Sequence, residues 1–349
     1  MTVIGTVAAG TDRLGGSGLE RAARVVLPLV GAFAVICAVI AGLGANPFTV
    51  LGSMVTGSLG SQYDLAETLM VTMPLVLCGL AAAIPFSAGL WNIGGDGQLY
   101  VGAVASVLVG LTIGTRVPGT LLSCVCVLAG VAAGCLWALL AAAVKIAVGG
   151  NEVIVTLMLN LLAGLAADYV VTGPWAQGVS PQTRSIPSGA TFSSFWQSGF
   201  NVGFFVAVAV ALAFGVFMSS TRTGFGIRAS GRNLDATRLA GFRVVRLWLA
   251  AFGLGGACAG LAGALLVVAV HGALIPGMGE QYGYTGIAVA LLAGLRPRLV
   301  IPAALFFAIV EVGGSSLSAS ANVSTAISYV IEGVIVIALL AFRAIRVRT

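Results

Sequence analysis

Two short polar clusters interrupt a very apolar chain, and they hold most of the groups able to do chemistry. The first, residues 87–98 (SAGLWNIGGDGQ), sets Trp91, Asn92, Asp96 and Gln98 among four glycines. The second is residues 151–160 (NEVIVTLMLN), where Glu152, Thr156 and Asn160 recur every fourth position and therefore share one helical face. Amides and hydroxyls in such numbers suit hydrogen bonding to a neutral polar solute rather than acid–base work. An unpaired ion in a low-dielectric path would cost several kcal/mol or more, and few charges are at hand to offset it. Trp91, Trp137, Tyr169 and Trp175 offer flat surfaces for a ring, or serve as the interfacial anchors that Trp and Tyr more commonly form.

Other chemistries lack their parts. His271 is the only histidine, which excludes an H-E-x-x-H zinc site and leaves a Ser/His/Asp triad without support. Lys145, the only lysine, follows Ala143 and Val144, so a G-x-x-x-x-G-K-[ST] phosphate loop cannot exist here. The six cysteines, Cys37, Cys78, Cys124, Cys126, Cys135 and Cys258, lie in apolar stretches and read as buried small hydrophobes. Cys124 and Cys126 point to different sides of a helix, which argues against a metal pair. No catalytic residue, metal site or cofactor is expected in this chain.

The elements that must position the clusters follow from composition. Of 349 residues 59% are hydrophobic and only 8% charged, and the mean hydropathy is +1.08. A soluble surface cannot be built from so few charges, which excludes a soluble enzyme or a nucleic-acid-binding domain. The fold class is all-α, a polytopic membrane protein. Runs of about 20 apolar residues place ten spans near 25–44, 68–86, 97–115, 118–144, 150–172, 201–219, 247–270, 283–295, 299–315 and 325–342. With residues 1–24 in the cytoplasm, fifteen of the 17 basic residues fall inside and only Arg116 and Arg184 outside. Both termini are then cytoplasmic, with a membrane domain at 25–342 and a tail at 343–349. A cleaved signal peptide fits less well, because the first apolar run is long and no A-x-A site follows it.

Two connections stand out. The external one, 173–200, is rich in Pro, Ser and Gly, and reads either as a surface loop or as a docking lip. The cytoplasmic one, 220–246, carries six arginines and one acid, Asp235. Within it, residues 233–240 read as a short helix with Asn233 as N-cap, Asp235 in its first turn, and Leu234, Ala236, Leu239 and Ala240 as its apolar side. Flanking arginines would hold it along the membrane surface as a docking knob. Residues 87–98 cannot be a lipid-facing helix; a re-entrant segment covered by protein and a cytoplasmic hairpin turn both remain open. Among the acids, Asp168 and Glu311 fall near outer ends, and Glu332 is the one deep carboxylate.

Several of these runs, in order from about residue 65 to 340, resemble one family. Residues 89–98 (GLWNIGGDGQ) are similar to the F-N-I-G-x-E-G-Q segment of permease subunits of bacterial ABC importers. The branch is the nucleoside/simple-sugar one, related to the ribose and branched-chain amino acid permeases. Residues 151–160 are similar to its N-E-V-I-x-T-x-M-L-N, and TGPW at 172–175 and GIAVALL at 286–292 fit as well. Residues 228–236 with Ala240 and Gly241 look like the cytoplasmic segment that couples to the ATPase. Asp96 stands for the usual Glu, Trp91 for Phe, and Glu332 precedes Gly333 where Gln is expected.

The resemblance implies about ten helices and a second permease subunit, copy or paralogue. It implies two cytoplasmic ATPase subunits holding ATP and Mg, an extracytoplasmic substrate-binding protein, and a place in the bacterial cytoplasmic membrane. The substrate path would involve Trp91, Asn92, Asp96, Gln98, Glu152, Thr156 and Asn160. Coupling would fall to Arg228, Gly231, Arg232, Asn233, Asp235, Ala236 and Gly241. Ten spans form two sets of five, and an odd number requires the second set to be inverted; residues 92–98 and 278–282 would be counterparts. The competing expectation is a stand-alone ion-coupled transporter using Glu332 or Asp168 as proton carrier.

Overall fold

The computed structural model describes residues 46–178, 180–279 and 281–321, with isolated helical positions between 31 and 42 and at 333–334. The chain divides into two compact units, residues 65–308 and the remainder.

In the smaller unit, α1 (Pro47–Leu59) starts with Pro at its first helical position and is capped by Asn46, whose Oδ1 accepts the Phe48 N–H at 3.0 Å. Val50 and Met54 pack with Ile40, Val310 and Leu317. The sequence reading placed no element at α1, because 13 residues fall short of a membrane span.

The larger unit contains most of the remaining helices. In chain order these are α2 (Gln62–Ser87), α3 (Gly95–Ile113), α4 (Gly119–Val148), α5 (Glu152–Thr172), α6 (Val202–Ser220), α7 (Arg222–Arg232), α8 (Leu234–Leu239), α9 (Val244–Leu265), α10 (Tyr282–Leu292) and α11 (Pro297–Ala321). A small antiparallel hairpin, β1 (Ala176–Gln177) with β2 (Ser180–Thr183), follows α5. Among the described residues, seven helices are long and apolar enough to cross a membrane, and they coincide with seven of the expected spans. The expected span at 283–295 is the shorter apolar helix α10. The spans at 25–44 and 325–342, with Glu332 and the terminal arginines, lie largely or wholly outside the described residues.

Glycines build the centre of this unit. A Cβ on Gly134 of α4 would lie 2.6 Å from Gly260 Cα of α9, and one on Gly260 would lie 2.9 Å from Gly134 Cα. Without a hydrophobic drive between helices in lipid, such backbone-on-backbone packing is what holds them. Leu121, Leu128 and Leu136 of α4, and Ile154, Met158, Leu161 and Leu165 of α5, turn outward. Cys124 shares that outward face, a correction to its expected burial; Cys126, two residues on, is buried.

The connection 173–200 is fastened to the end of α9, where a π-helical turn, Leu266–His271, continues the helix. The turn closes with Gly272 N–H on Val267 O, five residues back, at 2.8 Å. The carbonyls it leaves free are taken by other donors: Val268 O by Phe192 N–H at 2.9 Å, and Ala269 O by Asn201 Nδ2 at 2.6 Å. Asn201 also caps α6 through the Gly203 N–H at 2.9 Å. Thr183 and Leu274 bond each other twice, each at 3.0 Å. A connection with this many fixed points is an ordered part of the unit.

Candidate functional site

The first polar cluster is partly helical, and the helix of the expected span 97–115 begins two residues early. α2 ends at Ser87 and the chain turns at Gly89, which has φ 78°. Residues 90–94 are non-helical, and α3 starts at Gly95, so Asp96 and Gln98 sit in its first turn. The irregular stretch folds back beside α2. Asn92 Nδ2 donates to Ala81 O at 3.3 Å, and Ala81 lies about 9 Å along the helix axis from Ser87 at 1.5 Å per residue. The reason is local. The normal donor to Ala81 O would be the N–H of residue 85, which is Pro85 and has none. Asn92 supplies that missing donor. The stretch around Asn92 is therefore covered by protein.

Asn92 is 1% exposed and its other contacts are also internal. Its Nδ2 donates to Gln98 Oε1 at 3.2 Å, and its Oδ1 accepts Gln98 Nε2 and Gly94 N–H, each at 3.0 Å. The stripe on α5 faces the same segment. Thr156 Oγ1 accepts the Ile93 N–H at 3.3 Å, while Asn160 accepts Gly97 N–H at 2.9 Å and donates to Ile93 O at 2.8 Å. Two side-chain amides and one hydroxyl thus satisfy backbone that no helix or strand serves.

Asp96 joins a third element. Its Oδ1 accepts the Gly283 N–H at 2.6 Å, in the first turn of α10. The carboxylate lies at the N-termini of α3 and α10 together, where both helix dipoles favour a negative charge. Gly283, one residue past the segment 278–282 expected as the counterpart of 92–98, touches the first segment directly: a Cβ on Gly95 would lie 3.1 Å from Gly283 Cα.

Glu152 lies beside the Trp91 backbone and pairs with a cation. Its Oε2 pairs with Lys145 Nζ at 2.6 Å across the turn between α4 and α5, and the ammonium sits 5.4 Å from the Trp248 ring centre. Trp91 is 44% exposed, with its ring tilted against Phe86 at 4.7 Å. Tyr284, which the sequence reading missed, is 46% exposed and has its hydroxyl 3.5 Å from Asn160 Nδ2. Asn92, Gln98 and Thr156 are enclosed, whereas Trp91, Asn160 and Tyr284 keep some exposed surface.

The arginine-rich segment contains two helices where one was expected. α7 is capped by Thr221, whose Oγ1 accepts Gly224 N–H at 3.0 Å. α8 is capped by Asn233, whose Oδ1 accepts Ala236 N–H at 2.9 Å. The face of α8 turned inward is Thr237, not the expected Leu239, which is 90% exposed. Thr237 stays inside because its Oγ1 bonds Asn233 O at 2.7 Å. Asp235 pairs with Arg238 at 3.3 Å in solvent. A groove of about 360 Å³ runs between the two helices, with Arg228, Arg232, Asn233 and Ala236 among its walls and Phe225 and Phe242 as its aromatic sides. Gly241, with φ 80°, turns the chain toward α9.

Comparison with known proteins agrees over nearly the whole chain. Residues 64–340 match the family model described as branched-chain amino acid transport system / permease component. The glucose ABC transporter permease protein TsgB13 of Haloferax volcanii is 33% identical over 330 residues, covering 90% of this chain and 86% of the relative. The guanosine ABC transporter permease protein NupP of Bacillus subtilis is 28% identical over 344 residues, covering 94% and 96%. The nucleoside ABC transporter permease protein NupB of Lactococcus lactis is 26% identical over 314 residues, covering 86% of each.

Proposed function

Because the chain belongs to the family of permease components of branched-chain amino acid transport systems, we propose that it is the membrane-spanning subunit of an ATP-driven importer for a neutral polar solute, a nucleoside or a simple sugar. The observation that carries this reading is a set of uncharged, partly exposed groups: Tyr284, whose hydroxyl lies 3.5 Å from Asn160, and Trp91, on the irregular segment that Asn160 bonds at Ile93. The set presents aromatic rings and an amide, with no charge, beside a buried network that already satisfies its own polar groups. Rings and amides suit a solute with a flat or hydroxylated body. The relatives named as nucleoside, guanosine and glucose permeases support the same class of cargo.

In this reading ten helices cross the membrane as two inverted sets of five, with both termini in the cytoplasm. ATP is hydrolysed by a pair of partner subunits that dock on α7 and α8. A second permease subunit completes the path, and an extracytoplasmic binding protein delivers the solute to the connection 173–200. The solute passes by alternating access. The test is uptake by the reconstituted complex: labelled guanosine, uridine and glucose, each with ATP, with ADP, and without the partner subunits. ATP-dependent uptake of one of them is the expected result. Uptake by the lone chain driven by a pH gradient would overturn the reading in favour of an ion-coupled carrier.

A further inference from the structure

α7 touches the turn that begins the irregular segment, and the contact is backbone against backbone. A Cβ built on Gly231 would overlap the Ser87 carbonyl oxygen and lie 2.9 Å from the Gly89 nitrogen. A Cβ on Gly89 would lie 3.3 Å from Gly231 Cα, and Gly89 holds a left-handed φ of 78°. The turn itself is tightly closed: Ala88 N–H and Leu90 N–H both bond Pro85 O, at 2.9 and 3.0 Å, and Gly89 N–H bonds Phe86 O at 3.0 Å.

We propose that this glycine joint passes movement of α7 to the solute-facing residues, with Gly231 as a positioning residue. The proposal rests on the reading of α7 and α8 as the ATPase dock. Flexible side chains at a contact absorb small displacements by changing rotamer; two backbones in contact have none to change, and close-packed protein does not compress. A shift of α7 therefore moves the turn at 87–89. Trp91 follows two residues later, and Asn92 ties the segment to α2 and α3. Asp96 then carries the same displacement to Gly283 of α10. The joint lies at one end of this chain of contacts and Trp91 near the solute, so the fluorescence or resonance of that tryptophan reports whether the joint works.

The experiment uses the complete importer in lipid vesicles, grown with 5-fluorotryptophan and read by fluorine NMR. The chain has five tryptophans, and Trp91→Phe assigns the resonance. In the unaltered complex, ATP is expected to shift the Trp91 resonance. Gly231→Ala is expected to keep subunit assembly, abolish the shift, and lower uptake at least tenfold. Gly89→Ala, on the side of the joint away from the dock, is expected to do the same. An unaltered complex whose Trp91 resonance ignores ATP overturns the proposal, as does either variant that assembles and keeps both shift and uptake. Failure of both variants to assemble makes the joint a folding contact and also overturns it. Leu239→Glu checks the docking reading separately: unchanged assembly and hydrolysis in that variant would sink the dock, whatever the glycines do.

Discussion

Replacing Asn92 by Ala removes the side chain on which the irregular segment depends. Four hydrogen bonds go at once: two with Gln98, one to Ala81 O and one from Gly94 N–H. None of the four partners gains water easily, because Asn92 is 1% exposed and the site is enclosed. At about 1 kcal/mol net per bond the loss is about 4 kcal/mol. Polar pairs in a membrane protein average about 0.6 kcal/mol, which brings the sum to about 2.4. The expected destabilisation is therefore about 2–4 kcal/mol. Unfolding of the purified chain in mixed micelles, followed by circular dichroism against denaturing detergent, measures it. A double-mutant cycle with Gln98→Ala then isolates the two shared bonds, with an expected coupling of about 1–2 kcal/mol. If Asn92→Ala costs under about 0.5 kcal/mol, or the two changes add within the usual scatter of about 0.3–0.5 kcal/mol, the network does not hold the segment and the reasoning fails.

Gly260→Val is expected to abolish a folded, extractable protein, because even a Cβ there meets Gly134 Cα at 2.9 Å; detergent-resistant monomer on a sizing column is the readout. Lys145→Met and Glu152→Gln each break a half-buried ion pair of 2.6 Å and should cost about 1–3 kcal/mol, while the double variant should recover part of that loss in the same unfolding assay. Leu239→Glu changes a fully outward side chain and should alter stability by less than about 0.5 kcal/mol. It is nevertheless expected to lower ATPase stimulation at least tenfold in the reconstituted complex.

The helices were legible because a bilayer demands long apolar runs, and composition reports those directly. α1 escaped because a 13-residue helix makes no such demand on sequence. The polar clusters were legible as residue types at helical spacing, but their partners were not. Thr156 reaches Ile93 across 63 positions, and Asp96 reaches Gly283 across 187; no local pattern encodes either. Lys145 and Glu152 were both visible, seven residues apart, yet a pair spanning a helix break has no fixed spacing rule. Asn201 did carry a local signal, an Asn just before an apolar run, which marks an N-cap. Its second bond, to the π turn of α9, had none. α7 was hidden by its three glycines, which lower helix propensity while allowing its close contacts with α9 and the turn at 87–89.

Where water is scarce, a polar side chain is first needed by the backbone, and only what remains is free for a solute. Pro85 shows the order of events: it removes a donor, Ala81 O is left open, and Asn92 closes it. Asp96 shows the same for charge, since its carboxylate sits at two helix N-termini and accepts the Gly283 N–H. Polar residues inside an apolar chain accordingly divide by their unspent capacity. Asn92, Gln98, Thr156 and Asn160 are committed to the fold, whereas Trp91 and Tyr284 keep about half their surface exposed. Residue type alone cannot make that division; it follows from which carbonyls and N–H groups the helices leave open.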